Sequence, residues 1–152
     1  TKTEHKRDER ALICPGCNTV VYPKISPAVI VAIICENKIL LARNTNFKSG
    51  MYSLLAGYVD VGETLEETIQ REVKEEVGIN VKNIRYCASQ PWPLSESMMI
   101  GFVAEADDTQ EIIIDEKEIA DAGWFERGKL PVRSPNLSIA GEMIEMFERG
   151  EI

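Results

Sequence analysis

Residues 57–79 read GYVDVGETLEETIQREVKEEVGI, and the second half of this stretch predicts a helix with both ends marked. Thr64, followed three residues later by Glu67, forms a capping box, and Gly78 stands where a helix C-terminus favours a left-handed residue. Apolar side chains recur at every fourth position, which is the spacing of a core-facing stripe: Leu65, Ile69, Val73 and Val77. The sequence therefore predicts a helix over residues 64–77 that packs one face on a core.

Three acidic residues of this helix lie beside its apolar stripe. At about 100° per residue, Glu72, Glu75 and Glu76 fall within an arc of about 100° next to the buried face, whereas Glu66 and Glu67 point elsewhere. Like charges this close repel one another and destabilise the helix. They form either a solvated charged face or a site for Mg²⁺ or Mn²⁺, because these hard cations bind carboxylate oxygens. The helix geometry by itself leaves both interpretations open.

The patterns on either side of this helix predict one α/β domain with a mixed sheet, and 152 residues suit a single domain. Residues 28–35, AVIVAIIC, are apolar throughout, which is typical of a strand buried on both faces. Residues 1–10 are polar and lack a period, so they are interpreted as a tail or as the remnant of a segment upstream. Further strands are predicted over residues 20–22, 38–42, 52–61, 82–89, 98–105 and 123–126, and a second helix over residues 137–149.

Charge and composition exclude several classes of protein. A net charge of −8 argues against a general nucleic-acid binder, which would carry a basic surface. The apolar run 28–35 is far short of the ~18 residues that cross a bilayer, and residues 1–10 are too polar for a signal peptide. We therefore expect a cytoplasmic protein with no membrane partner. Of the four cysteines, only Cys14 and Cys17 have metal-binding spacing, and zinc requires a second pair that the sequence lacks.

Residues 57–79 match every specified position of the Nudix box, G-x5-E-x7-R-E-U-x-E-E-x-G-U with U apolar. The matching residues are Gly57, Glu63, Arg71, Glu72, Val73, Glu75, Glu76, Gly78 and Ile79. The chain resembles a Nudix hydrolase from Tyr22 to its last helix. This resemblance implies the Nudix fold, a mixed β-sheet sandwiched between helices. It places a Nudix domain over residues 27–152, after an N-terminal tail and half a zinc-ribbon knuckle over residues 1–26.

The resemblance also implies a divalent-metal site that cleaves a nucleoside diphosphate linked to another group. The implied ligands are the carbonyl of Ala56 and the carboxylates of Glu72, Glu75, Glu76 and Glu118. Arg71 would orient a carboxylate, with Glu63 as its partner. Glu76 is the expected base that takes a proton from metal-bound water, and Glu75 is the alternative. Without the resemblance, Glu118 would be an ordinary acid at the start of a helix.

Residues 89–97, SQPWPLSES, bear on the substrate. By themselves, two prolines around Trp92 predict a stiffened loop that packs for stability. The stretch resembles the SQPWPFPxS array of the NADH pyrophosphatase subfamily, although Leu94 and Ser95 stand where that array has Phe and Pro. C-P-G-C followed by Tyr22-Pro23 resembles the second half of the zinc ribbon of that subfamily. The ribbon is then either vestigial or without its first half, and His5 is interpreted as a tail residue rather than a zinc ligand.

The subfamily resemblance implies a substrate pocket and a homodimer. Tyr58 would stack on the nicotinamide, with a core tyrosine as the alternative. The implied pocket residues are Tyr22, Tyr58, Gln90, Pro91, Trp92, Pro93, Leu94, Ser95, Glu96, Ser97 and Ala140.

The expected activity is hydrolysis of the pyrophosphate bond of NADH or NAD⁺ to nicotinamide mononucleotide and AMP, with Mg²⁺ or Mn²⁺ as cofactor. Alternative substrates are ADP-ribose, FAD, a dinucleoside polyphosphate and the 5′ end of NAD-capped RNA. The acidic charge disfavours long RNA. A second class of hypothesis is a non-catalytic Nudix module that senses a nucleotide, and the intact box argues against it.

Overall fold

The computed structural model describes residues 1–46, 50–133 and 137–152. The elements are β1 (Glu4–His5), β2 (Leu12–Ile13), β3 (Val20–Val21), β4 (Ser26–Cys35), β5 (Lys38–Asn44), β6 (Leu55–Tyr58), α1 (Leu65–Val77), β7 (Lys82–Trp92), β8 (Ser97–Glu105), β9 (Ile119–Glu126) and α2 (Ile139–Arg149), with a single 3-10 turn at Pro93–Ser95. Strands β1 to β3 form a small sheet, and the other strands form a second, larger sheet.

The larger sheet is mixed, as predicted. Its order is β7-β8-β4-β5-β9, and β6 pairs with β4. Strand β4 runs parallel to β8 and antiparallel to β5 and β6. One edge of β4 is shared, because residues 28–31 pair with β6 whereas residues 33–35 pair with β5. The shared edge brings the short strand β6 to the middle of the sheet, where it faces α1.

Each face of the sheet is covered by a helix, which confirms the predicted sandwich. Alternate residues of β4 point to opposite faces, so Val29 and Val31 join one core while Ile30 and Ala32 join the other. The first core contains the α1 stripe and the second contains the α2 stripe. The prediction that β4 is buried on both faces is therefore confirmed.

The predicted ends of α1 are confirmed. The Thr64 side chain accepts a hydrogen bond from the Glu67 amide, the Glu67 side chain accepts one from the Thr64 amide, and Gly78 is left-handed with φ of 76°. Helix α2 begins at Ile139, two residues after the predicted start, because Ser138 is its N-cap. No helix among the described residues is long and apolar enough to span a bilayer.

Several predicted strand boundaries are wrong. Strand β6 covers four residues where ten were predicted, and β9 begins at Ile119 rather than at residue 123. Strand β7 continues through Pro91 to Trp92, beyond the predicted end at residue 89. Proline is tolerated there because β7 is an edge strand, where a backbone N–H is not needed on the open side.

The interpretation of residues 1–10 as a tail is wrong. Glu4–His5 pairs with Leu12–Ile13, which in turn pairs with Val20–Val21, and residues 14–17 form the turn between the last two strands. The first strand is exposed and two residues long, so it lacks the apolar alternation that predicts a strand. The division of the chain at residues 26 and 27 stays a prediction.

Candidate active site

Strand β6 and helix α1 form the walls of a cavity of about 340 Å³. Its lining includes most of the predicted metal-site residues together with Asp60, which the sequence did not single out: Ala56, Gly57, Tyr58, Asp60, Arg71, Glu72, Glu75, Glu76 and Glu118. Glu118, which precedes β9 in the chain, thus reaches the same cavity as the three acids of α1. The structure brings together carboxylates that the sequence separates by more than forty residues.

Arg71 connects these carboxylates. Its Nε donates to Glu63 Oε1 at 2.6 Å and its Nη2 donates to Glu63 Oε2 at 2.9 Å, which is a bidentate pair. Its Nη1 donates to Glu72 Oε1 at 2.9 Å and to Glu75 Oε2 at 3.2 Å. Nη2 also donates to the carbonyl of Tyr58 at 3.0 Å, which ties α1 to β6. One guanidinium therefore offsets the charge of three acids and fixes the helix against the strand.

Several hydrogen bonds hold the Glu63 carboxylate in place. Besides Arg71, its Oε2 accepts hydrogen bonds from the Thr68 hydroxyl at 2.9 Å and from the Asp60 amide at 3.2 Å. The Arg71 guanidinium is the largest cause that lowers the pKa of Glu63 to about 2. Thr68 is fully buried, and sequence reasoning missed it because nothing in the local pattern distinguishes it from a polar helix residue.

Glu76 is the most buried acid of the cavity. Its exposed fraction is 7%, and its Oε2 has no hydrogen-bond partner. Burial, together with the charges of Glu72, Glu118 and Glu75, raises the pKa of Glu76 to about 8. Burial also raises the pKa of Glu72. An unpaired buried carboxylate is costly, so this oxygen fits a site for a cation.

The donors suit a hard divalent cation, because they are all oxygens on one face of α1 and on the facing strand β6. Within residues 1–46, 50–133 and 137–152, no three His, Cys, Asp or Glu side chains already form a complete ligand set. Arg71 holds one oxygen each of Glu72 and Glu75. Glu76 remains without such a partner and is the acid best placed to bind a cation.

Gly57 leaves room for the Glu72 carboxylate. A Cβ at this position would overlap the Glu72 carboxyl group. We expect Gly57→Ala to displace the Glu72 carboxyl group and to weaken Mn²⁺ binding, while the free energy of unfolding falls by about 1 kcal/mol or less, because the displaced atoms are the far end of a flexible side chain. Urea unfolding and Mn²⁺ titration measure the two effects.

Gly123→Ala is the matched control, because it makes the same change in strand β9, where the added Cβ would meet only Phe125 at ordinary contact distance. Equal effects of the two substitutions would contradict the role of Gly57.

The predicted substrate residues from Gln90 to Ser97 follow one another through the end of β7, the 3-10 turn and the start of β8. Gln90 caps the second helix, since its Oε1 accepts a hydrogen bond from the Ile139 amide at 2.7 Å. It thereby holds the N-terminus of α2, including Ala140, next to this wall. Trp92 is half-buried and Leu94 is exposed. Tyr58 is 53% exposed, so the alternative of a core tyrosine is wrong.

Tyr22 lies outside the carboxylate cavity. It lines a separate cavity of about 330 Å³ on the small sheet, together with His5, and its hydroxyl donates to Glu9 Oε2 at 2.6 Å. Tyr22 therefore does not line the cavity that contains Tyr58.

Cys14 and Cys17 lie in the turn between β2 and β3. The Cys17 thiol is 3.1 Å from the Thr19 hydroxyl, and this contact is the largest cause that lowers the pKa of Cys17. The described residues offer no third ligand at this turn. Zinc binding by the two cysteines stays a prediction.

The sheet between two helices, with an acidic cavity on the Glu-rich helix, defines a Nudix-type fold and site. The NUDIX domain model matches residues 24–147, and the chain belongs to the Nudix family. The chain is 49% identical over 144 residues to "NAD-capped RNA hydrolase NudC" of Erwinia tasmaniensis, covering 95% of this chain and 55% of that protein. The protein of the same name from Citrobacter koseri is 48% identical over 139 residues, covering 91% of this chain and 54% of that protein. The chain thus spans about half the length of the curated relatives it matches.

Among solved structures, a NUDIX hydrolase from Nitrosomonas europaea superimposes with a TM-score of 0.81 at 21% identity, covering 97% of this chain and 85% of that one. At this identity the likeness shows the fold alone. The predicted Nudix resemblance and fold class are confirmed.

Proposed function

We propose that the protein is a divalent-metal-dependent pyrophosphohydrolase that cleaves NADH or NAD⁺ to nicotinamide mononucleotide and AMP. The proposal rests on the buried, unpartnered Glu76 carboxylate, which lies in an acidic cavity beside Tyr58. The names of the two NudC relatives support a substrate that contains NAD.

The residues divide the chemistry between binding and proton transfer. Glu72, Glu76, Glu118 and the carbonyl of Ala56 would hold Mg²⁺ or Mn²⁺. When bound, the cation offsets the negative charge of the pyrophosphate and lowers the pKa of the attacking water. The carboxylate of Glu76 takes the proton from that water, and Glu75 is the second candidate because its side chain is 62% exposed. Arg71 keeps Glu72 and Glu75 oriented by its bidentate anchor on Glu63.

The 5′ end of NAD-capped RNA is a second candidate substrate, favoured by the names of the relatives. It carries the same pyrophosphate bond, so the same carboxylates would serve. The net charge of −8 disfavours tight contacts with the phosphates beyond the cap. We expect capped RNA to be cleaved with little dependence on the length of the RNA.

A homodimer and a cytoplasmic location are part of the same proposal. The position of Tyr22 outside the carboxylate cavity is compatible with a site that uses residues of two chains. Sedimentation velocity tests the dimer, and a monomer at micromolar concentration would contradict it.

A panel of substrates with product identification tests the function. The purified protein with Mg²⁺ or Mn²⁺ is assayed against NADH, NAD⁺, ADP-ribose, FAD, diadenosine polyphosphates and NAD-capped RNA. We expect the highest kcat/KM for NADH or NAD⁺, with nicotinamide mononucleotide and AMP as products. Preference for ADP-ribose or FAD would contradict the proposed substrate but keep the Nudix chemistry. Nucleotide binding without turnover of any substrate would instead favour the sensing module.

A further inference from the structure

Three hydroxyl groups meet beside the candidate active site, and we call them the hydroxyl cluster: Tyr58, Ser95 and Ser97. The Tyr58 hydroxyl is 3.1 Å from Ser97 Oγ, and Ser95 Oγ is 2.9 Å from the same atom. Ser97 is 5% exposed, so its hydroxyl is shielded from water. The two contacted residues come from β6 and from the turn before β8, which are far apart in sequence.

The Ser97 hydroxyl makes three hydrogen-bond contacts. Ser97 Oγ lies 3.1 Å from the carbonyl of Ser95, which can only accept. A serine hydroxyl has one hydrogen to donate and two lone pairs that accept. In the contacts of Ser97 Oγ with the Tyr58 hydroxyl and with Ser95 Oγ, either hydroxyl can be the donor. Loss of the Tyr58 or the Ser95 hydroxyl removes one of these contacts.

Strand β4 separates the two halves of the cluster. Ala28 of β4 pairs with Tyr58 on one side, and Ser26 pairs with Ser97 on the other. Because neighbouring strands lie about 4.8 Å apart, the Tyr58 side chain crosses the width of β4 to reach Ser97. The turn is also held by its backbone, since the Ser26 amide donates to the Glu96 carbonyl at 2.8 Å.

Tyr58 is fixed at both ends. Its backbone carbonyl accepts from Arg71, which anchors the carboxylates, while its hydroxyl forms a hydrogen bond with Ser97. The residue thus joins the carboxylate cavity to the turn at residues 93–97, which follows Trp92. Ser95 stands where the subfamily array has proline, so this turn has a hydroxyl where the array has a ring.

We propose that the hydroxyl cluster is a positioning device that sets the distance between the substrate wall at residues 90–97 and the carboxylate helix, and thereby favours substrates with a nicotinamide. The proposed preference for substrates with a nicotinamide rests on the proposed function. Tyr58 acts here through its hydroxyl, as a positioning residue. Tyr58→Phe keeps the ring but removes the contact between this hydroxyl and Ser97 in the turn.

The test compares Tyr58→Phe, Ser97→Ala and the double variant with the wild type. We expect KM for NADH to rise roughly 3- to 10-fold in each single variant, with kcat within about twofold, because both substitutions remove the Tyr58–Ser97 hydrogen bond and neither touches the carboxylates. ADP-ribose lacks the nicotinamide, so its KM should stay unchanged. The double variant should match Ser97→Ala, because that substitution already removes the contact with Tyr58. Additive effects, or a fall in kcat alone, would overturn the proposal.

Hydrogen exchange provides a readout that does not depend on turnover. The amides of residues 94–97 should exchange faster in Tyr58→Phe and in Ser97→Ala. Tyr86→Phe is the matched control, because Tyr86 is exposed and its hydroxyl, among the described residues, hydrogen-bonds only with Ser89, at 3.4 Å. Unchanged exchange in Tyr58→Phe refutes the positioning role even if NADH is the substrate. Faster exchange supports it even if the wild type proves inactive on NADH, in which case only the proposed function fails.

Discussion

Glu76→Gln should lower kcat for pyrophosphate cleavage by roughly 1,000-fold, equivalent to about 4 kcal/mol of transition-state stabilisation. Glu76 is the most buried acid of the cavity, and its Oε2 has no protein partner. Glutamine keeps the shape of the side chain but removes the charge and the ability to take a proton. Steady-state kinetics in saturating Mg²⁺ measure the loss.

Glu66→Gln is the matched control for this prediction. Glu66 lies on the first turn of the same helix and is exposed to solvent. The control should keep kcat within about twofold, because a surface charge contributes little. Full turnover by Glu76→Gln would refute the proposed mechanism. A large loss in Glu66→Gln would show that the overall charge of the helix, rather than the buried acid, is what matters.

The second large effect is a gain in stability. Glu76→Gln should raise the free energy of unfolding of the metal-free protein at neutral pH. Burial raises the pKa of Glu76 to about 8 from an ordinary value of 4.5. Between these pH values the folded protein binds more protons than the unfolded chain, so its stability falls as pH rises. The stability that Glu76 contributes in its protonated form is present below pH 4.5 and is lost as pH rises through 8. We expect wild type to lose about 3–4 kcal/mol between pH 5 and pH 8.

Urea unfolding at several pH values in the presence of a chelator measures this loss. Glu76→Gln should remove most of the slope, while Glu66→Gln should retain it. Glu63 does not interfere, because its pKa of about 2 confines its own contribution to lower pH. Addition of Mg²⁺ should restore the stability of wild type at pH 8 more than that of Glu76→Gln. Equal slopes in wild type and Glu76→Gln would contradict the buried, unpaired state of the acid.

Helix α1 shows which structural features can be predicted from local sequence. Its capping box, its left-handed end and its apolar stripe were predicted from residues within four positions of one another, and all are present in the structure. The placement of Glu72, Glu75 and Glu76 on one arc follows from the same periodicity. Which of the three is buried does not, because β6 and Glu118 cover Glu76 from other parts of the chain.

The small N-terminal sheet and the position of Tyr22 show the opposite case. Two-residue strands carry no period that a sequence pattern can reveal, so residues 1–10 were misinterpreted. The resemblance grouped Tyr22 with the substrate residues, whereas the fold of one chain places it on the small sheet.

The sequence by itself determined the family, the α/β class and the acids that form one helix face, because these depend on residue types at fixed short spacings. Only the tertiary structure decided that Glu76 lacks a partner, that Gln90 caps α2 and that Tyr58 reaches Ser97 across β4. These contacts join residues separated by tens of positions or depend on how distant segments cover one side chain. They are set by strand register and by the packing of helices on the sheet, which local patterns do not encode.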